Sequence, residues 1–128
     1  MMCPVYPPPA PTVSVKTTVK TMTDVAIPAT LIELNIPGCL KELLIKTADT
    51  NYKLTVQVDG ETLYDNDFNW FQNISQTVDE ISAFQDETGD YILHLADIKW
   101  SANIKVEAQP LTTTGTLKQV FYKIDLYV

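Results

Sequence analysis

The stretch that most constrains the fold is residues 52–64, which read YKLTVQVDGETLY. From Tyr52 to Val58, apolar side chains occupy every second position and polar side chains lie between them. Because side chains of an extended strand point alternately to its two faces, this pattern predicts a half-buried strand. Asp59-Gly60 follows, and this dipeptide tolerates the positive φ angles of a two-residue type I′ turn. The stretch therefore predicts a β-hairpin.

Short alternating segments of the same kind recur along the chain. Residues 41–48 also contain good helix formers, but their length and alternation favour a strand, which is expected to pair with residues 52–59. Many short strands separated by turn signals predict an all-β fold, an antiparallel β-sandwich that is jelly-roll-like. Residues 13–128 are expected to form this single domain. Besides the hairpin, the predicted strands are 12–23, 30–36, 41–48, 91–96, 98–102, 104–108 and 120–128, the first of them at a sheet edge.

One region has a helical rather than an alternating period. Its apolar residues are three or four positions apart, which places them on one side of a helix. Residues 77–80, TVDE, match a capping box, in which the threonine and the glutamate each bond to a helix-terminal amide. The sequence therefore predicts one short helical excursion within residues 70–85. The apolar positions are Phe71, Ile74, Val78, Ile81 and Phe84.

The first twelve residues, MMCPVYPPPAPT, contain five of the eight prolines. Proline fixes φ and lacks an amide donor, so this segment is expected to be an extended, polyproline-II-like arm. It is either a simple tail or an arm that becomes ordered along a neighbouring subunit, at a low entropic cost because its backbone is already stiff. The candidate interaction residues of the arm are Pro4, Tyr6, Pro7, Pro8, Pro9 and Pro11.

The two cysteines, Cys3 and Cys39, are too few for a disulfide scaffold. Two free thiols are the simpler interpretation. The alternative is a bridge that attaches the arm to the body of the domain.

Nine basic residues against 16 acidic ones give a formal charge of -7. Such a surface repels phosphate backbones, so direct nucleic-acid binding is disfavoured. No stretch approaches the roughly 18 consecutive apolar residues of a membrane-spanning helix. The N-terminus also lacks the basic opening and apolar core of a secretory signal. We therefore expect no membrane span.

The sequence contains no pattern that predicts catalysis. The only histidine is His94, and a nucleophile needs a base beside it. Neither a zinc-ligand spacing nor a phosphate-binding or hydrolase motif is present. Acidic residues between 59 and 67 could supply oxygens to calcium, but their spacing is not that of an EF-hand and favours solvated turns. We predict a protein that is not an enzyme and has no cofactor, metal or catalytic residue.

Large aromatic residues near the predicted loops give an alternative function. They are more often core or interface anchors than ligand contacts. If exposed, they would provide flat faces on which sugar rings stack, as in a carbohydrate-binding module. The candidate stacking residues are Trp70, Trp100 and Tyr64.

A family resemblance covers roughly residues 40–108. It is carried by LLIKTADTNYKLTVQVDGETLYD, ISAFQDETGDYILHLADIKW and SANIKVEA, a succession of strand, Asp-Gly hairpin, excursion and paired strands. This succession resembles the small, jelly-roll-like β-sandwich structural proteins of bacteriophage and archaeal virus particles. The resemblance implies a capsid decoration or minor capsid protein, made in the host cytoplasm and located at the virion surface. The implied partners are capsid or other virion proteins and further copies of the chain, as a homo-oligomer.

Overall fold

A computed structural model describes residues 14–112 and 114–127 of the chain. These residues form two antiparallel sheets and one short helix, which confirms the predicted all-β sandwich. In chain order the elements are β1 (Val15–Ile27), β2 (Ala29–Leu34), β3 (Gly38–Thr47), β4 (Tyr52–Val58), β5 (Glu61–Asp67), α1 (Phe68–Ile74), β6 (Ile81–Gln85), β7 (Tyr91–Trp100), β8 (Ile104–Pro110) and β9 (Gly115–Tyr127).

The two sheets have the nested strand order of a jelly roll. One has the order β1-β9-β3-β7-β6 and the other β2-β8-β4-β5. Strands β1 to β4 therefore alternate between the sheets, and the later strands return beside them in reverse order. Without β6, this is the arrangement of an eight-stranded jelly roll, to which β6 adds a strand at one edge.

The predicted hairpin is present. Val58 pairs with Glu61, so only two residues form the turn between β4 and β5. Asp59 and Gly60 have φ angles of 53° and 82°, as a type I′ turn requires. In β4 the side chains of Tyr52, Leu54 and Val56 are buried, which confirms the inward face predicted by the alternation.

The core between the sheets is completed by long side chains from several strands. Leu43 and Ile45 of β3 and Leu93 and Leu95 of β7 are almost completely buried there. Trp100 at the end of β7 is 1% exposed, and its indole Nε1 donates a hydrogen bond to the carbonyl oxygen of Ile36.

The start of β3 lies very close to its neighbours. A Cβ atom placed on Gly38 would lie 2.5 Å from the carbonyl oxygen of Asp125 and 2.8 Å from Cζ2 of Trp100. Both distances are far inside ordinary van der Waals contact. Because one obstacle is backbone and the other a buried ring, no side chain fits at this position.

The helical region is shorter and begins earlier than predicted. Helix α1 begins after Asp67, whose carboxylate accepts a 3.0 Å hydrogen bond from the amide of Trp70. The capping-box prediction for residues 77–80 is wrong, since the Thr77 hydroxyl donates to the carbonyl of Ile74 and turns follow. The last part of the predicted helix is strand β6, which pairs with β7. A short isolated helix is marginally stable, and the edge of β7 offers this segment a full set of backbone partners.

The pairing predicted between residues 41–48 and 52–59 is wrong. Strand β3 pairs with β7 and β9, whereas β4 pairs with β5 and β8 in the other sheet. The connection between β3 and β4 therefore crosses from one sheet to the other and is not a hairpin.

The other strand boundaries differ by a few residues. The predicted strands 91–96 and 98–102 are one strand, β7, with Asp97 at a φ of 58° inside it. Strand β1 extends to Ile27, and β9 begins at Gly115. Strand β1 does lie at a sheet edge, as predicted.

Candidate interaction surface

The outer face of the five-stranded sheet can be assigned from the strand register. Leu44 of β3 pairs with Phe121 of β9 and with His94 of β7. Residues that pair directly across strands have side chains on the same face. Since Leu43 and Ile45 point into the core, Leu44 and its two partners lie on the opposite, outer face.

Each of the five strands contributes one apolar side chain to a diagonal across this face. Ile92 of β7 lies two positions from His94 and therefore on the same face, and it pairs with Phe84 of β6. Val19 of β1 pairs with Lys123, which lies two positions after Phe121 in β9, so Val19 is also on this face. Val19 is 57% exposed and Phe84 47% exposed, at the two ends of the diagonal. Leu44 and Phe121 are half-buried, and Ile92 between Leu44 and Phe84 is nearly covered. We call Val19, Phe121, Leu44, Ile92 and Phe84 the outer stripe.

Polar and charged side chains beside the outer stripe lie close to one another. Nε2 of His94 lies 3.5 Å from a carboxylate oxygen of Glu42. Nζ of Lys46 lies 3.6 Å from Asp90, which also accepts a 2.8 Å bond from Lys118. The bond from Lys118 holds the pKa of Asp90 below its ordinary value. Asp90 itself is only 7% exposed, and these contacts place polar groups at the margin of an apolar surface.

The outer stripe was not predicted from the sequence. Its signal is a break in the alternation, because Leu44 stands between Leu43 and Ile45, and Phe121 follows Val120. In a strand with one face in the core and one in solvent, an apolar residue next to a buried one must point away from the core. Only the register shows that these extra residues lie side by side on neighbouring strands.

A second surface contains two of the predicted stacking residues. The rings of Tyr64 and Trp70 have centroids 6.2 Å apart, and both rings contact buried Phe71. Trp70 is 39% exposed. Tyr64 also lines a cleft of about 340 Å³ between β5 and β7, together with apolar and charged side chains. Partial burial of its ring raises the pKa of the Tyr64 hydroxyl. The other cleft residues are Val58, Leu63, Glu80, Ala96, Asp97, Ile98 and Lys99.

Trp100, the third predicted stacking residue, is placed elsewhere. Its ring lies in the core and its indole nitrogen is bonded to a backbone carbonyl. A buried indole cannot stack on a ligand, so Tyr64 and Trp70 are the remaining candidates for that function.

The acidic residues of the β4–β5 hairpin have structural partners. The Asp59 carboxylate accepts hydrogen bonds from the amides of residues 101, 102 and 103, the shortest of them 2.6 Å from Ala102. Asp65 bonds to Thr55 and Lys53, and Asp67 caps α1. Across residues 14–112 and 114–127, no three His, Cys, Asp or Glu side chains are grouped to hold a metal ion.

These amide bonds give a prediction about pH. They hold the pKa of Asp59 below its ordinary value of about 4. The carboxylate therefore stabilises the fold fully above the unfolded pKa, and this stabilisation is lost as the pH falls through the lowered folded pKa. Asparagine tolerates the positive φ at this position, so Asp59→Asn tests the charge alone. We expect the variant to have a lower melting temperature than the unmodified protein at pH 7, and we expect this difference in melting temperature to become smaller in acid. A difference that is the same from pH 7 to pH 2 would contradict this account of Asp59.

The arm residues Pro4, Tyr6, Pro7, Pro8, Pro9 and Pro11 lie outside the described residues. The cysteine of the domain body, however, is described. Cys39 is 0% exposed and disulfide-bonded. The interpretation of two free thiols is therefore wrong for Cys39.

Among the described residues, no helix has the length and apolar character needed to cross a bilayer.

Comparison with known protein families finds no family model that matches the chain, and comparison with curated proteins finds no matching sequence.

Proposed function

We propose that this chain is a non-enzymatic structural protein of a virus particle, a capsid decoration or minor capsid protein. In this proposal it acts by burying one face against virion proteins and copies of itself, at the particle surface. The observation that carries the proposal is the outer stripe, which crosses all five strands of one sheet. Contiguous apolar side chains on a solvent-facing sheet surface are typical of protein–protein contact sites.

Two further features support the proposal. The stripe contains two phenylalanines, a residue type that is enriched at the centres of interfaces, and ion-paired charges at its sides resemble a polar rim. A disulfide-bonded Cys39 also fits a protein that works in oxidising surroundings, such as the outside of a particle. The resemblance of residues 40–108 to virion β-sandwich proteins suggests the same class of partner.

The proposal predicts that a charge on the outer stripe weakens association with the particle. Phe84→Asp places a carboxylate at an exposed position of the outer stripe. Burial against a partner would remove the hydration of this charge, which costs free energy. We expect its binding to purified particles, measured by co-sedimentation, to weaken by about 30-fold or more, the size of a hot-spot loss. The sandwich itself is expected to retain its melting temperature, because Phe84 is 47% exposed.

Leu63→Asp is the matched control. Leu63 is 46% exposed and lies on β5, in the other sheet. It is expected to bind particles like the unmodified protein. Full binding by Phe84→Asp, or equal loss in both variants, would remove the outer stripe from the proposal.

One observation favours a second function, that of a carbohydrate-binding module. Tyr64 and Trp70 form an adjacent aromatic pair beside a cleft, with Trp70 partly open to solvent. Aromatic faces of this kind stack on sugar rings through apolar contact. A glycan array with the full chain tests this second function. If a glycan binds, Trp70→Ala should abolish that binding, whereas Phe84→Asp should leave it unchanged. An array without bound glycans would eliminate this second function.

A further inference from the structure

We infer that Cys39 is bonded to Cys3 of the same chain, so that the proline-rich arm is covalently attached to the outer face of its own sandwich. Cys39 is disulfide-bonded, and the 128 residues contain two cysteines. The described residues leave no free cysteine. In a single chain, the remaining cysteine is the one partner available. This inference does not depend on the proposed function.

The position of Cys39 agrees with a partner on the outer face. Cys39 pairs with Asp125 of β9 and Lys99 of β7, and neighbouring Leu40 points into the core. Lys99 is exposed beside it. Cys39 nevertheless has no exposed area, although it belongs to the face that points away from the core. A bonded sulfur lying over this face accounts for that burial.

The distance along the chain is ample. Thr17 near the start of β1 pairs with Asp125, and Asp125 pairs with Cys39. The beginning of β1 is therefore only two strands from Cys39, about 10 Å at the usual strand spacing. Ten residues separate Cys3 from Ser14, and an extended chain of that length reaches about 33 Å. This reach is about three times the distance that the segment has to cover.

The attachment changes what the arm can do. While the bond is intact, Cys3 stays with its own subunit, so the arm cannot extend freely along a neighbouring subunit. A dithiol reductant would release the arm. It transfers two electrons and two protons to the two cysteine sulfurs, and its own sulfurs close into a disulfide. Attachment and release are thus two covalent states of the same protein.

Peptide mapping of the full chain tests the assignment. The protein is unfolded without reductant, free thiols are alkylated, and trypsin then cleaves after Lys16, Lys20 and Lys41. We expect peptide 1–16 to be recovered linked to peptide 21–41, and both to separate after treatment with a dithiol. The intact monomer should be lighter than the reduced chain by the mass of two hydrogen atoms.

A variant distinguishes the assigned bond from an intermolecular one. In Cys3→Ser, the sandwich keeps all its side chains, and Cys39 should become alkylated in the unfolded chain. Three results would overturn the inference: alkylation of both cysteines in the unmodified protein, peptide 21–41 linked to a second copy of itself, or a Cys3→Ser monomer in which Cys39 still resists alkylation.

Discussion

Trp100→Ala is expected to lower the free energy of unfolding by about 3–5 kcal/mol, the usual cost of truncating a buried large aromatic residue. The ring is 1% exposed and lies against the start of β3. Its removal opens a cavity and also leaves the carbonyl oxygen of Ile36 without its indole donor. Chemical denaturation with a two-state analysis measures the change.

Trp70→Ala is the matched control, since it removes the same side chain from a site that is 39% exposed. We expect a loss of about 1 kcal/mol, mostly from its contacts with Tyr64 and Phe71. If the two variants lose equal stability, Trp100 does not have the anchoring role assigned to it. Loss of glycan binding in a stably folded Trp100→Ala protein would likewise contradict the burial of that ring.

Cys3→Ser is expected to lower the free energy of unfolding by about 3–5 kcal/mol, because residues 3 to 39 then no longer form a closed ring in the unfolded chain. Cys3 is the better position to test than Cys39, since Cys39 is fully buried and its replacement by serine would also bury a hydroxyl. Denaturation curves of the two proteins under oxidising conditions measure the difference.

Reductant provides the internal control for this second prediction. A dithiol should lower the stability of the unmodified protein to that of Cys3→Ser and leave the variant unchanged. Cys3→Ser,Cys39→Ser should differ from Cys3→Ser only by the cost of the buried hydroxyl. A variant as stable as the unmodified oxidised protein would show that no ring-closing bond contributes to stability.

The strands were predictable because their faces differ in environment. In β4, each inward side chain is apolar and each outward one polar, so the alternation alone identifies both the strand and its buried face. The type I′ turn followed from Asp59-Gly60, since few dipeptides accept two positive φ angles. Local patterns of this kind are sufficient for the fold class.

The candidate surface was not predictable, since it depends on pairing between distant segments. Phe121 and Leu44 are 77 positions apart in the sequence and become neighbours only through the β3–β9 register. The end of α1 was missed for a similar reason. Ile81 and Phe84 continue the helical spacing, but pairing with β7 determines their conformation. A sequence window contains no information about that partner.

The close packing around Gly38 has a consequence for recognising distant relatives of this chain. A side chain of any size at this position would collide with the backbone of β9 and with a core ring, so we expect distant relatives with this fold to retain glycine here. A conserved glycine at this position would reflect packing of the scaffold and would give no information about binding partners. A glycine at the start of the third strand is therefore the feature by which we expect this scaffold to be recognised in other sequences.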